Sequence, residues 1–169
     1  MAAQEAAEPH VGNDELTALR RQVRELGDRA AITEVCDRYV NRLDSDRHND
    51  TWFDSVFTED VHLTFPFGEY KGFDGLAGFQ QMARTTFERT HHLAANHRVE
   101  LYPDGDEDRA RVRAHLMAIH VRKREEPDAH FDIGGHYDAE FVRTPVGWRI
   151  RRFTFDLVWH AGQPPNADH

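Results

Sequence analysis

Apolar residues first recur at helical spacing at Leu16, Leu19, Val23 and Leu26, and Asp14 is placed to cap that helix. Gly27 interrupts the pattern. A second helix is predicted beyond it, capped by Asp28 and striped by Ile32, Val35, Cys36, Tyr39, Val40 and Leu43. Asp44 falls one residue past that stripe, at or just beyond the last turn. A short amphipathic piece, Thr51 to Phe57, leads into a strand from Val61 to Phe65. Gly68 and Gly72 bracket a tight connection, and a helix from about Asp74 to Phe87 carries Leu76, Phe79, Met82 and Phe87. After Thr90 the character changes. Leu93–Leu101, Arg109–Val121, Phe131–Val142 and Trp148–Trp159 are rich in β-branched and aromatic residues. Turn-forming clusters separate them at Pro103-Asp104-Gly105, Glu126-Pro127-Asp128 and Thr144-Pro145-Val146-Gly147.

Helices followed by a four-strand meander imply an α+β fold, with the helices on one face of a strongly curved, mainly antiparallel sheet. Residues 1–13 and 162–169 lack periodic hydrophobicity and hold Pro and Gly, so they read as disordered tails around a single domain at 14–161.

The chain has 169 residues with 21 Lys+Arg against 30 Asp+Glu, a formal net charge of −9, which argues against coating nucleic acid or binding anionic membranes. Hydrophobic residues are only 39%, but 11 Phe, 4 Tyr and 3 Trp supply enough area for a core. No apolar run approaches a membrane span and no signal-peptide pattern opens the chain, so a cytoplasmic location is expected. The single Cys excludes an internal disulfide and a Cys-based metal cluster. The 12 His are the feature that asks for an explanation.

Hairpin register indicates which face they occupy. Centring the first turn on Asp106 sets His92 opposite His120. Centring the last between Pro145 and Val146 sets His136 opposite Phe155 and Asp138 opposite Phe153. That would mix His and Asp with Phe153, Phe155, Leu157 and Trp159 on one face, a composition that suits a pocket wall better than open surface. By strand alternation His91, His97 and His115 fall on the other face. That face is itself largely apolar and so suits a subunit interface.

A carboxylate that accepts a hydrogen bond from one imidazole nitrogen fixes the tautomer and leaves the other nitrogen as a base. Asp44 with His92 is the pair placed for that work. The rival is a metal shell of His92, His120 and His136 with Asp138. No Gly-x-Ser-x-Gly, Walker or dinucleotide-binding pattern is present, and Gly134-Gly135, inside a strand, marks a bulge or bend. The Leu16–Leu26 stripe reads as core or oligomer packing. Arg149, Arg151 and Arg152 read as strand-surface pairing, with a substrate carboxylate as the alternative.

These segments resemble the SnoaL-like proteins of the nuclear transport factor 2-like superfamily. The resemblance is carried by Ala30-Ala31-Ile32-Thr33-Glu34 through Asp44, Gly68-Glu69-Tyr70-Lys71-Gly72, Thr90-His91-His92-Leu93 with Asn96 and Arg98, Gly134-Gly135-His136-Tyr137 and Gly147-Trp148-Arg149. It spans roughly residues 16 to 160 and lies nearest scytalone dehydratase, hexachlorocyclohexane dehydrochlorinase and the bile-acid dehydratases. The resemblance implies a cone-shaped α+β barrel that works without a cofactor through an Asp–His dyad, matched by Asp44 and His92. It implies a second histidine at His120 and a polar pair at His136 and Asp138, where scytalone dehydratase has Ser and Asn. Leu43 replaces that enzyme's tyrosine.

The function expected is therefore dehydration, isomerisation or cyclisation of a small hydrophobic molecule, polyketide- or steroid-like, with catalytic Asp44, His92, His120, His136 and Asp138. His120, His136 or Asp138 would protonate the leaving group or stabilise an enolate. Tyr39, Phe65, Phe67, Asn96, Phe153, Phe155 and Trp159 would contact the substrate. No metal and no cofactor are expected, and neither nucleic acid nor membrane is an expected partner. A homo-oligomer, trimer or dimer, is expected. The alternatives are a non-catalytic ligand-binding or assembly module of the same fold, and a histidine-cluster metal enzyme.

Overall fold

The computed structural model describes residues 11–164. Helices α1 (Val11–Ser45) and α2 (Phe53–Val56) precede strands β1 (Phe57–Phe65) and β2 (Gly68–Lys71). Helix α3 (Gly72–Thr86) is followed by β3 (Arg89–Leu101), β4 (Arg109–Val121), β5 (His130–Thr144) and β6 (Gly147–Gly162). The expected tails fall mainly outside the described residues, although α1 already begins at Val11.

One six-stranded sheet in the order β2-β1-β6-β5-β4-β3 carries the helices on its inner face. Among the described residues only β1 and β6 pair in parallel, so the sheet is mixed but mainly antiparallel, and the fold is α+β. Alternation sorts the strands: Ala110, Val112, Ala114, Leu116 and Ala118 of β4 and Tyr137, Ala139 and Phe141 of β5 are buried inward. Ile32, Val35, Cys36 and Tyr39 of α1 close over them, joined by Phe57, Leu63 and Phe153. Tyr39 meets Phe57 and Phe153 edge-on, with ring centroids 5.1 and 5.3 Å away.

Two expectations about α1 are corrected. Gly27 does not end it, and the predicted pair of helices is one helix of 35 residues. Asp28 is no cap. It lies inside the helix, 6% exposed, and its carboxylate accepts from both Arg143 guanidinium nitrogens (2.9 and 2.7 Å), the Tyr102 hydroxyl (2.6 Å) and the Trp148 indole (2.9 Å). Arg143 also lies over the Trp148 ring, 4.3 Å from its centroid. This cluster fastens the middle of α1 to the β5–β6 hairpin.

The last hairpin starts in the expected register, with Val142 opposite Arg149 and Phe141 opposite Ile150. A β-bulge at Arg151 then inserts one extra residue, so Glu140 meets Arg152, Asp138 meets Thr154 and His136 meets Asp156. A second bulge, at Val158, is the one the glycines announced: Gly135 pairs with Leu157 and Gly134 with Trp159. A β-carbon on Gly135 would drive into the Asp156 carbonyl oxygen, which is backbone and cannot swing aside. Gly135→Ala is therefore expected to destabilise the protein by about 2 kcal/mol, read as a lower urea midpoint at unchanged slope.

Candidate active site

α1 ends where β3 begins to climb the inner face, and this junction brings Asp44 to His92. The Asp44 Oδ1 atom lies 2.7 Å from His92 Nδ1, and Oδ2 accepts the His92 backbone N–H at 2.8 Å. A third donor, the Thr90 hydroxyl, reaches Oδ1 at 2.8 Å. Arg47 in turn donates to the Thr90 oxygen at 3.3 Å, and to the Phe87 and Ala83 carbonyls at 2.5 and 3.3 Å, which ties the end of α3 to the site. Burial pushes the Asp44 carboxyl up, but the bonds from His92 and Thr90 outweigh it and hold the group below the usual carboxylate range. An ionised carboxylate can only accept, so Nδ1 of His92 carries the shared proton, and in the neutral ring the free lone pair is on Nε2.

His120 lies beside this pair, its ring edge-on to His92 with centroids 5.7 Å apart. On β3 and β4 the pairing is His92 with Ala118 and Thr90 with His120, two residues from the expected register. A slip of two keeps the face, which is why both rings still point inward. His120 Nδ1 lies 3.0 Å from the Phe131 carbonyl, which fixes its proton there. Burial, and then the neighbouring His92, lower the His120 pKa to about 4. It is thus a neutral imidazole at neutral pH, unsuited to act as the acid there.

That depression has a signed consequence. Folded His120 binds its proton more weakly than an unfolded histidine, so its share of stability is complete above about pH 6.5 and is lost as pH falls towards 4. The thermal midpoint should drop over that window, and His120→Gln should flatten the slope.

The other predicted site residues divide. His136 and Asp138 are on the outer face, a correction forced by the Arg151 bulge. His136 packs against the His115 ring at 4.6 Å, and Asp138 accepts from Arg113 at 2.8 Å. Neither reaches Asp44. The three-histidine metal shell is therefore not assembled, and among the described residues no group of three His, Cys, Asp or Glu side chains is arranged to hold an ion. The Val158 bulge likewise turns Trp159 outward, over Gly134. Tyr39 and Phe153 are buried in the core, and Phe155 is buried with its ring centroid 6.4 Å from that of Phe65. Phe65 is half-buried and stacks with Phe67 and Phe79 at 5.3 and 4.9 Å, while Phe67 is exposed. Asn96 is exposed and adopts φ 59°, at a bulge in β3. That bulge turns His97 inward, against expectation, to meet the Tyr137 ring at 6.4 Å. A groove of about 600 Å³ lined by Arg98, Arg111, Arg113, Asp138 and Arg152 lies on the outer face and excludes the Asp44–His92 pair.

Residues 24–154 match the SnoaL-like domain model. The chain belongs to the SnoaL-like family. An uncharacterized protein of Mycobacterium tuberculosis is 29% identical over 137 residues, covering 77% of this chain and 85% of that one. Among solved structures, a candidate scytalone dehydratase from Novosphingobium aromaticivorans is similar with a TM-score of 0.71 and 23% identity, over 83% of this chain and 90% of that one. A hexachlorocyclohexane dehydrochlorinase from Novosphingobium barchaimii LL02 is similar with a TM-score of 0.71 and 17% identity, over 84% and 94%. These likenesses establish the fold.

Three residues around the Asp44–His92 pair are not singled out by the sequence. Thr90 and Arg47 join it through contacts 46 and 43 residues apart in the chain. Neither follows a periodic pattern, so nothing local could single them out. His160 is the third: so near a strand end, alternation says little about its face. The Val158 bulge pairs it with Ile133 on the inner face, where its ring is 6.0 Å from Phe131.

Proposed function

We propose that this protein is a cofactor-independent acid–base enzyme, a lyase or isomerase that removes a proton from carbon in a small, largely hydrophobic molecule. The observation that carries this reading is the double grip of Asp44 on His92, through Nδ1 at 2.7 Å and the backbone N–H at 2.8 Å. Such a grip fixes one tautomer and aims an unprotonated Nε2 away from the carboxylate. The dehydratase and dehydrochlorinase descriptions of proteins with this fold point the same way.

In an elimination, Nε2 takes the proton from a carbon beside a carbonyl, the C–H electron pair becomes the new double bond, and the C–O bond breaks. The imidazolium so formed is stabilised by Asp44 and returns its proton to the departing hydroxide, giving water. Because His120 is neutral, His92 serves as both base and acid on one face of the substrate. The neutral His120 Nε2 is an acceptor suited to a substrate hydroxyl. Isomerisation or cyclisation would share the first step and differ in what the carbanion attacks.

The test uses β-tetralone, a bicyclic ketone with exchangeable protons beside its carbonyl. In heavy water, catalytic amounts of the protein should accelerate deuterium uptake at those carbons, followed by proton NMR. Exchange no faster than with an equal concentration of free imidazole would overturn the reading.

A further inference from the structure

The proposed site leaves the first half of α1 without a role. Leu16, Leu19, Val23 and Leu26 lie along it, each between 42% and 67% exposed. From Asp28 on, the same helix buries Asp28, Ile32, Val35, Cys36 and Tyr39 against the sheet. At about 100° per residue, the first stripe points roughly 170° away from the second. A continuous helix cannot lay both on one body, so the leucine stripe faces away from its own domain. The residues before Asp28 span about 25 Å of helix, secured to the domain by an exposed ion pair from Arg24 to Glu107. An isolated helix of that length is marginal in water.

The stripe is narrow, and its spacing of three, four and three is that of a coiled-coil seam. With Leu16 and Val23 at a positions, Leu19 and Leu26 occupy d. A β-branched residue at a with Leu at d favours two parallel strands. The flanking charges agree. Glu15 falls at g and Arg20 at the following e, positions that face each other across a parallel pair. Two symmetric Glu15–Arg20 bridges would form there, whereas an antiparallel pairing sets g against g and forfeits them.

We propose that residues 12–27 of α1 pair with the same segment of a second copy of this chain as a parallel, in-register, two-stranded coiled coil. The partner is thereby identified by sequence register and by charge. The arm is remote from Asp44 and His92, so the inference stands or falls apart from the proposed chemistry.

Sedimentation velocity on the full chain across a concentration series tests it. The wild-type protein should pass reversibly from monomer to dimer, and Leu19→Glu with Val23→Glu should remain monomeric throughout. Glu15→Arg and Arg20→Glu should each weaken the dimer at least several-fold, and the two together should restore it. Leu19→Cys should form a covalent dimer on mild oxidation, since d positions meet across a parallel in-register pair. These residues are exposed, so the thermal midpoint at low concentration should not move. Should the glutamate variant fail to fold, the charge-reversal series decides alone. A wild-type monomer at every concentration overturns the proposal. So does an oligomer indifferent to these substitutions, which would point instead to the outer sheet face around Leu93, Met117 and Trp159. A trimer, or a dimer that Leu19→Cys cannot cross-link, overturns it as well.

Discussion

His92→Ala and Asp44→Asn are each expected to lower proton abstraction from β-tetralone on the order of 10² to 10⁴-fold, with far-ultraviolet circular dichroism unchanged. The two losses have different origins. His92→Ala removes the base itself, leaving solvent to take the proton. Asp44→Asn keeps the imidazole but offers Nδ1 an amide that can also donate, so the ring is free to place its proton on Nε2, the atom that must be bare. It also withdraws the negative charge that stabilises the imidazolium. Because they act on one unit, the double variant should be scarcely worse than the weaker single one. Full exchange in either variant would place the chemistry elsewhere. Thr90→Val supplies a graded case, since it removes one of three donors to Asp44 and leaves the others in place.

The second large effect is on stability. Asp28→Ala should cost about 3 kcal/mol, because it strands the Trp148 indole and removes the partner of the Arg143 guanidinium. For a chain of this size that is a fall in thermal midpoint of roughly 6–12 °C. Burial alone would raise the Asp28 pKa, yet Arg143, Tyr102 and Trp148 together bring it down to about 2. Its contribution is therefore complete above the unfolded carboxylate value of about 3.9 and is lost as pH falls towards 2. The acid limb of the stability curve should lose about 2 kcal/mol of amplitude in Asp28→Asn. A midpoint within one degree of wild type would mean that the cluster is not a fastening.

Why Asp44 and His92 were legible, while His136 and Asp138 were misplaced, comes down to parity. The hydrophobic stripe of α1 ends at Leu43, so the position of Asp44 at the helix end needs only helical period. His92 was displaced by two residues from its predicted partner, and an even error preserves the face. His136 and Asp138 were displaced by one, and an odd error reverses it. Arg151 and Val158 carry no signal that marks them as extra residues, whereas Gly134-Gly135 did announce a bulge without saying which strand held it. Asn96 tolerates the left-handed backbone of the β3 bulge, but Asn in a strand is too common to foretell one. The continuity of α1 was hidden for another reason. Its apolar residues change sides at Gly27, and a change of side in sequence looks like a break in the helix. Asp28 reads as a cap in sequence because the three residues that hold it, Tyr102, Arg143 and Trp148, lie more than 70 positions away.

The paired bulges of β6 also determine how this fold responds to length changes. Between Arg151 and Val158 the strand presents Phe153 and Phe155 to the interior, and beyond Val158 it presents His160. A substitution alters one side chain at a time, but loss of a paired residue between the bulges would exchange inside for outside as far as the next bulge, whereas loss of the extra residue itself leaves every pair in place. Deleting Val158 would leave Trp159 opposite Gly134 on the outer face and His160 opposite Ile133 on the inner face, now in an unbroken ladder. Each bulge is thus a frame marker. A one-residue deletion there is absorbed by the ladder, whereas one between the bulges rebuilds one wall of the interior in one genetic event, without disturbing Asp44, His92 or the helix that holds them.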